Sequence, residues 1–186
     1  MDPTPAAYRV LEDGDEPSCL LDAALRITHV NAGWTRFAAA NNGAEVLRRW
    51  GPGACVLDAI STELRGFYRT LFETVRASGQ RLEHDYECSS PQRFRTYRML
   101  VYPSKGATLV VTHALRVERA HDRPALPADD ARYRHEGLLR MCSHCRRVRG
   151  PTPEKRWDWL PDYVNQMPPD VSHGLCPPCF EHYYPE

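Results

Sequence analysis

No apolar stretch in this chain approaches the roughly 20 residues that a helix needs to cross a bilayer. The opening residues, "MDPTPAAYRV", also lack the basic-then-apolar order of a secretory signal. Both absences point to a soluble cytoplasmic protein with no membrane partner. An excess of charge of one sign is missing too: Lys plus Arg and Asp plus Glu stand at 24 each among 186 residues. Nothing in that balance directs the whole molecule to nucleic acid or an anionic surface. There is no internal repeat and no low-complexity tract. Nucleophile motifs and phosphate-binding glycine loops are absent, and Asp58, Asp85 and Glu87 form no acid–base pair, so the chain is expected not to be an enzyme.

What is present begins with local charge. Residues 1–16 carry five acids against one Arg and read as a solvated acidic leader, whereas residues 17–118 carry thirteen basic and nine acidic residues. "SCLLDAALRITHV" (18–30) suits two strands with a tight connection. Asn31 is placed to cap a helix bearing Trp34, Phe37 and Ala38, which Asn42-Gly43 should stop. "GPGACVLDAI" reads as a turn and a short apolar segment. Leu64, Phe67, Tyr68, Leu71, Phe72 and Val75 recur at three- and four-residue steps, so a helix spans 62–78, capped by Ser61 or Thr62 and ended by Gly79.

After Gly79 the period changes to two. "RLEHDYECSSP", "RFRTYRMLVYP" and "ATLVVTHALRVE" supply three hairpin-linked strands. The order strand, strand, helices, strand, strand, strand describes an α+β domain over 17–118, with an antiparallel sheet and helices on one face. Residues 119–138 are polar and punctuated by proline, and read as a linker with a helical turn near "DDARYRHE". Residues 139–186 form a second, smaller module.

The chain has seven cysteines. In a reducing compartment an odd number argues against a disulfide framework and for metal binding or reactivity. Cys142 and Cys145 form one C-x-x-C pair, and Cys176 and Cys179 another, thirty residues further on. Four thiolates at about 2.3 Å each would close a tetrahedron around one structural Zn²⁺ per chain. A module this short, with few aliphatic residues, needs such a staple. A knuckle, a hairpin and a C-terminal helix carrying the second pair would be treble-clef-like, with Pro177 and Pro178 in its first turn. His144 and His173 lie beside these cysteines and are expected near the ion or at the surface rather than bound to it. Cys19, Cys55 and Cys88 lack partners at metal spacing and are expected to be buried, inert thiols. A thioredoxin-type βαβ pattern is missing, which weakens a dithiol reading of either pair.

The first domain resembles a PAS domain. "LRITHVNAGWTRFAAANNG" looks like the second PAS strand entering "N-x-x-W/F-x-x-F", "GACVLDAI" looks like the segment before the long PAS helix, and the three closing strands match the PAS sheet. The tail from "MCSHCRRVR" to "GLCPPCFEHYYPE" is similar to a four-cysteine tail that follows PAS or receiver domains in some bacterial signalling proteins. The resemblance implies a sensor and dimerisation module with a small ligand or none. The flavin-adduct motif is absent, because Cys55 sits in "GACVLD", and helix 62–78 has no His to ligate haem. No kinase, cyclase or receiver output domain is present, which implies a stand-alone sensor or adaptor.

His84, Tyr86 and Cys88 share strand parity with Leu82, and His113 shares it with Leu109 and Val111. On the helix-facing side, His84, Tyr86 and His113 would offer hydrogen bonds to a ligand among Trp34, Phe37 and Met99. The same residues would also suit an ordinary core, or a face turned to solvent or a partner subunit. Three functions remain open. The first is a cytoplasmic signalling protein whose PAS domain senses a small ligand or dimerises while the zinc module engages a protein partner. The second is a nucleic-acid-associated regulator using the basic run "RRVRGPTPEKR", and the third a zinc–thiolate redox switch.

Overall fold

The computed structural model describes residues 8, 11–41, 43–151 and 156–185. The chain divides into two compact units, 1–85 with 97–115, and 86–96 with 116–186. No helix among the described residues is long and apolar enough to cross a membrane.

The first unit is built on a five-stranded sheet. Strands β1 (Ser18–Leu21) and β2 (Ile27–Val30) precede helices α1 (Ala32–Ala40) and α2 (Gly43–Trp50), a 3-10 turn at Val56–Ala59 and the long helix α3 (Thr62–Ser78). Strands β3 (Leu82–Glu87), β4 (Arg93–Pro103) and β5 (Leu109–Ala120) follow, and the order across the sheet is β2-β1-β5-β4-β3. Strand β1 pairs antiparallel with both neighbours. The short connections β3–β4 and β4–β5 can join only antiparallel neighbours. The expected α+β architecture is therefore present.

Helix α3 forms where the apolar stripe placed it. Leu64, Tyr68, Leu71, Phe72 and Val75 are buried, and Gly79 ends the helix in the left-handed conformation (φ 67°), its N–H bonded to the Val75 carbonyl. The helices lie on one face of the sheet, as expected. From α1, Phe37 meets Tyr97 of β4 edge-on and Trp34 lies 6.3 Å from the His113 ring of β5; from α3, Phe67 lies 4.8 Å from His84 of β3.

Asn31 ties the start of the fold together. Its Oδ1 accepts from the Trp34 N–H as the α1 N-cap and from the Ser18 N–H at the start of β1, each at 2.9 Å. Its Nδ2 donates to the carbonyls of Leu11 at 2.7 Å and Glu16 at 3.0 Å. The side chain is 1% exposed, so these bonds replace water completely.

One expectation for this unit changes. The leader was expected to be solvated, but Tyr8 is fully buried with Leu20 and Val110, and Leu11 and Tyr102 pack against them. Leu20 and Val110 are paired opposite one another and point away from the helices, so that face carries apolar area that also needs cover. The helix after Asn31 ends at Ala40, capped by Asn41, next to the expected stop at Asn42-Gly43; a second helix, α2, which was not expected, begins at Gly43, and Asn42 lies outside the described residues. Glu45 and Arg48 pair on the exposed side of α2, while Val46, Leu47 and Trp50, at three- and four-residue spacing, are half-buried.

The second unit contains α4 (Asp130–Tyr133), β6 (Arg134–His135), β7 (Leu138–Cys142), β8 (Val148–Arg149), β9 (Trp157–Asp158), α5 (Pro161–Asn165), β10 (Val171–Gly174) and α6 (Pro177–Tyr183). Its sheet runs β10-β7-β8-β9, with β6 also paired to β7. The core is small: Tyr133, Leu139, Met141, Val148, Leu160 and Tyr163. The 119–138 stretch, read as a linker, contains the end of β5 and all of α4, with Asp129 as N-cap, and buries Tyr133 in that core.

Replacing Asn31 with Ala should lower the unfolding free energy by about 2–4 kcal/mol in urea titrations, because buried donors and acceptors lose their partners. Asn31→Asp should cost more, since its carboxylate would face the carbonyls to which Nδ2 now donates. Desolvation holds the His113 imidazole down to about 4, against an ordinary value near 6.5. The unfolded chain therefore takes up a proton there first as pH falls. Stability from this residue is complete above about 6.5 and is lost progressively towards pH 4, by up to about 3 kcal/mol. His113→Gln should flatten that part of the stability–pH curve measured by denaturant unfolding.

Candidate metal centre

Strand β7 ends at Cys142, and the chain then reverses tightly. The Cys142 N–H donates to the Arg147 carbonyl at 2.8 Å, the Arg146 N–H to the Cys142 carbonyl at 3.1 Å, and Arg146 takes a left-handed conformation, φ 58°. This knuckle turns the side chains of Cys142 and Cys145 to one side. The second pair arrives by sheet register: β10 runs parallel to β7 with Gly174 opposite Cys142, and the Ser143 N–H donates to the Gly174 carbonyl at 2.7 Å. Cys176, two residues on, is the N-cap of α6, and Pro177 and Pro178 fill the first turn, where missing N–H groups cost nothing. One turn later Cys179 returns to the same side.

The four ligand atoms lie within 4.8 Å of one another and all four residues are buried. The Sγ atoms of Cys145 and Cys176 are 3.7 Å apart. A tetrahedral site with metal–sulfur bonds of about 2.3 Å has sulfur–sulfur edges of about 3.8 Å, whereas a disulfide would need about 2.05 Å. All seven cysteines are free thiols. The cluster therefore has the dimensions of a cation cage. Hydrogen bonding among the thiols drives Cys142 below the ordinary thiol range and Cys145 above it. A divalent cation would displace those protons and leave four thiolates.

Two N–H groups point at the sulfurs. The Cys176 amide donates to Cys142 Sγ at 3.5 Å. His144 supplies the other, and its tautomer follows from its partners. The Glu87 backbone N–H can only donate, and it reaches His144 Nε2 at 2.7 Å, so Nε2 is the acceptor and the proton sits on Nδ1. Nδ1–H then donates to Cys179 Sγ at 3.3 Å. The ring is held by stacking on His182 and by the edge of Tyr183. Desolvation lowers its basicity and keeps it neutral.

The same unit contains the β3–β4 turn. Glu87 and Arg123 form a bidentate pair at 2.6 and 2.8 Å, with side chains only 10% and 9% exposed. The Arg123 guanidinium lies over the rings of Phe94 and Trp159, each between 5 and 5.5 Å from its centroid, at 5.2 and 5.1 Å. The Ser90 carbonyl accepts from His121 Nε2 at 2.8 Å. Sequence spacing contains no sign of these pairs, whose partners are separated by about thirty residues or more.

The expected metal residues Cys142, Cys145, Cys176 and Cys179 thus converge. His144 lies against Cys179, and His173 is exposed on β10. Of the candidate pocket residues, Trp34 and His113 meet, Met99 is 3% exposed, and His84 packs against Phe67 and Tyr68. Tyr86 belongs to the second unit. The Trp34 Nε1–H is buried without a hydrogen-bond partner among the described residues. Cys19 is buried and Cys55 half-buried, but Cys88 is exposed, contrary to expectation, because it lies just past the end of β3.

No protein-family model and no curated protein matches the chain. Solved structures similar to it include a domain of a sensory box sensor histidine kinase/response regulator from Geobacter sulfurreducens, at 13% identity and TM-score 0.41, covering 58% of this chain and 90% of that one. A sensory box sensor histidine kinase from Vibrio cholerae aligns at 12% identity and TM-score 0.39, covering 60% and 90%. The PAS domain of nitrogen regulation protein NR(II) from Vibrio parahaemolyticus aligns at 14% identity and TM-score 0.35, covering 63% and 100%.

Removing the ion with a chelator should collapse amide-exchange protection in β7 and β10, and returning it should restore protection. Structural thiolate sites contribute about 10–16 kcal/mol of apparent binding energy, far more than this small core can replace. Cys179→Ser should show the exchange pattern of the stripped protein even with metal present.

Proposed function

We propose that this chain is a cytoplasmic sensory or regulatory signalling protein. Its five-stranded unit is a PAS domain that takes a small ligand or a second copy of itself, and its four-cysteine unit holds one structural Zn²⁺ and engages a protein partner. The PAS reading is supported by the element order and by the sheet order β2-β1-β5-β4-β3. The zinc reading is supported by four thiol donors at tetrahedral spacing, a set that suits Zn²⁺ and leaves no open position for catalysis.

The observation that carries the signalling role is continuity of chain. Strands β3, β4 and β5 each run through both units. Within the second unit, the Glu87 amide at the end of β3 holds His144, which donates to Cys179. A ligand or dimer contact that favours one position of these strands would bias the zinc unit by population shift. The N–H···S bonds drain charge from the thiolates, which favours a closed structural site over a redox switch.

Native mass spectrometry of freshly purified protein should show one Zn²⁺ per chain with four protons displaced, together with a bound small molecule or a dimer. A metal-free chain two hydrogens light would overturn the zinc reading. His144→Ala should release zinc about 10–100-fold faster to a chromogenic chelator and speed exchange of the Glu87 amide. Unchanged zinc release and unchanged exchange would sink the coupling while leaving the zinc site intact.

A further inference from the structure

We infer that the second unit carries another ligand site, a cleft that takes a planar ring bearing an oxyanion. The cleft has a volume of about 360 Å³, at the small end of small-molecule sites. It is lined by Arg123, Arg147, Arg156, Trp157, Asp158 and Trp159, with Pro124 at its edge. Arg147 immediately precedes β8 and Arg156 immediately precedes β9, both within the basic run "RRVRGPTPEKR".

Among the described residues that line the cleft, one cation is left over. The Arg123 guanidinium is committed to Glu87. The Asp158 carboxylate is 7% exposed and already accepts from Arg156 Nε at 2.7 Å and from the Tyr133 hydroxyl at 2.9 Å. Arg147 faces no carboxylate among the described residues. Its half-buried guanidinium is a fork suited to a phosphate or carboxylate.

The aromatic part of the wall is held in place: the His121 ring lies 4.5 Å from that of Trp159, and half-buried Trp157 offers the surface left for a ligand ring. Trp159 is 3% exposed, with the Arg123 guanidinium 5.1 Å over its ring, and its carbonyl accepts the Leu126 N–H at 3.0 Å. A bare anion would leave this wall wet, and a neutral ring would leave Arg147 unmatched. A nucleoside monophosphate and an aromatic carboxylate both satisfy the two halves. The site goes beyond the signalling reading and does not depend on what the first unit binds.

The test is an NMR titration of the full-length, metal-loaded protein, following indole N–H signals. The chain has four Trp residues, so Trp157 and Trp159 report on the cleft while Trp34 and Trp50 serve as internal controls. The probes are adenosine monophosphate, phenylacetate, adenosine and inorganic phosphate. Saturable shifts of the Trp157 and Trp159 signals are expected with adenosine monophosphate, with phenylacetate or with both, and whichever saturates identifies the oxyanion. Adenosine and inorganic phosphate should each bind at least about tenfold more weakly. Arg147→Gln should weaken the saturating probe by about tenfold or more, with Arg147→Lys intermediate, while the remaining spectrum stays dispersed. The proposal is overturned if neither ring-bearing anion saturates, if inorganic phosphate binds as tightly as they do, if Arg147→Gln binds equally well, or if the Trp34 or Trp50 signals move instead.

Discussion

Four sulfur atoms gathered within 4.8 Å are the constraint on which the second unit depends. Its core is small, and strands β6, β8 and β9 are two residues long. Such short strands have little ladder energy of their own. The parallel pairing of β10 with β7 also closes a long loop, whose entropy must be offset by something stronger than a few backbone bonds. Thiolate–metal bonds would offset it, and a cation held by these sulfurs would act at the end of that pairing, where Gly174 lies opposite Cys142. The left-handed Arg146 fits the same logic: a strained conformation persists where its surroundings over-determine it.

The two units solve the burial of polar groups differently. In the first, Asn31 gathers backbone groups of the leader, β1 and α1 around one neutral amide, with every bond short and none charged. In the second, charge is buried outright. Glu87 and Arg123 exchange two hydrogen bonds while the guanidinium also covers two aromatic rings, so little of either ion is left unmatched. A buried pair of this kind is weak evidence for net stability, but it fixes one arrangement because losing either partner strands the other. The amide next to that carboxylate orients His144, so the charge pair and the sulfur cluster share a single stretch of backbone.

Much of this was legible along the chain because it is periodic or punctuated. The stripe from Leu64 to Val75, the alternation of Tyr97, Met99 and Val101, the Asn31 cap and the Gly79 stop are local signals, and each element formed where its signal lay. Helix α2 was not legible, because its stripe consists of only Val46, Leu47 and Trp50 in an eight-residue run bounded by two glycines. The burial of Tyr8 was hidden for another reason: a lone aromatic in an acidic leader has meaning only beside the apolar sheet face it covers. The exposure of Cys88 likewise depends on where β3 ends.

The four clustered cysteines were legible because C-x-x-C spacing is itself geometry. Two thiols three residues apart can share one ion in a tight turn, whatever lies beyond them. The sequence by itself therefore determined the α+β order, the long helix and the identity of the four sulfurs. Only the tertiary structure decided which groups face those sulfurs, how Glu87 meets Arg123, and that Arg147 and two indoles line one cleft. These are meetings between residues distant in the chain. Their energy comes from burial and from bond geometry, and neither exists until the chain has closed on itself.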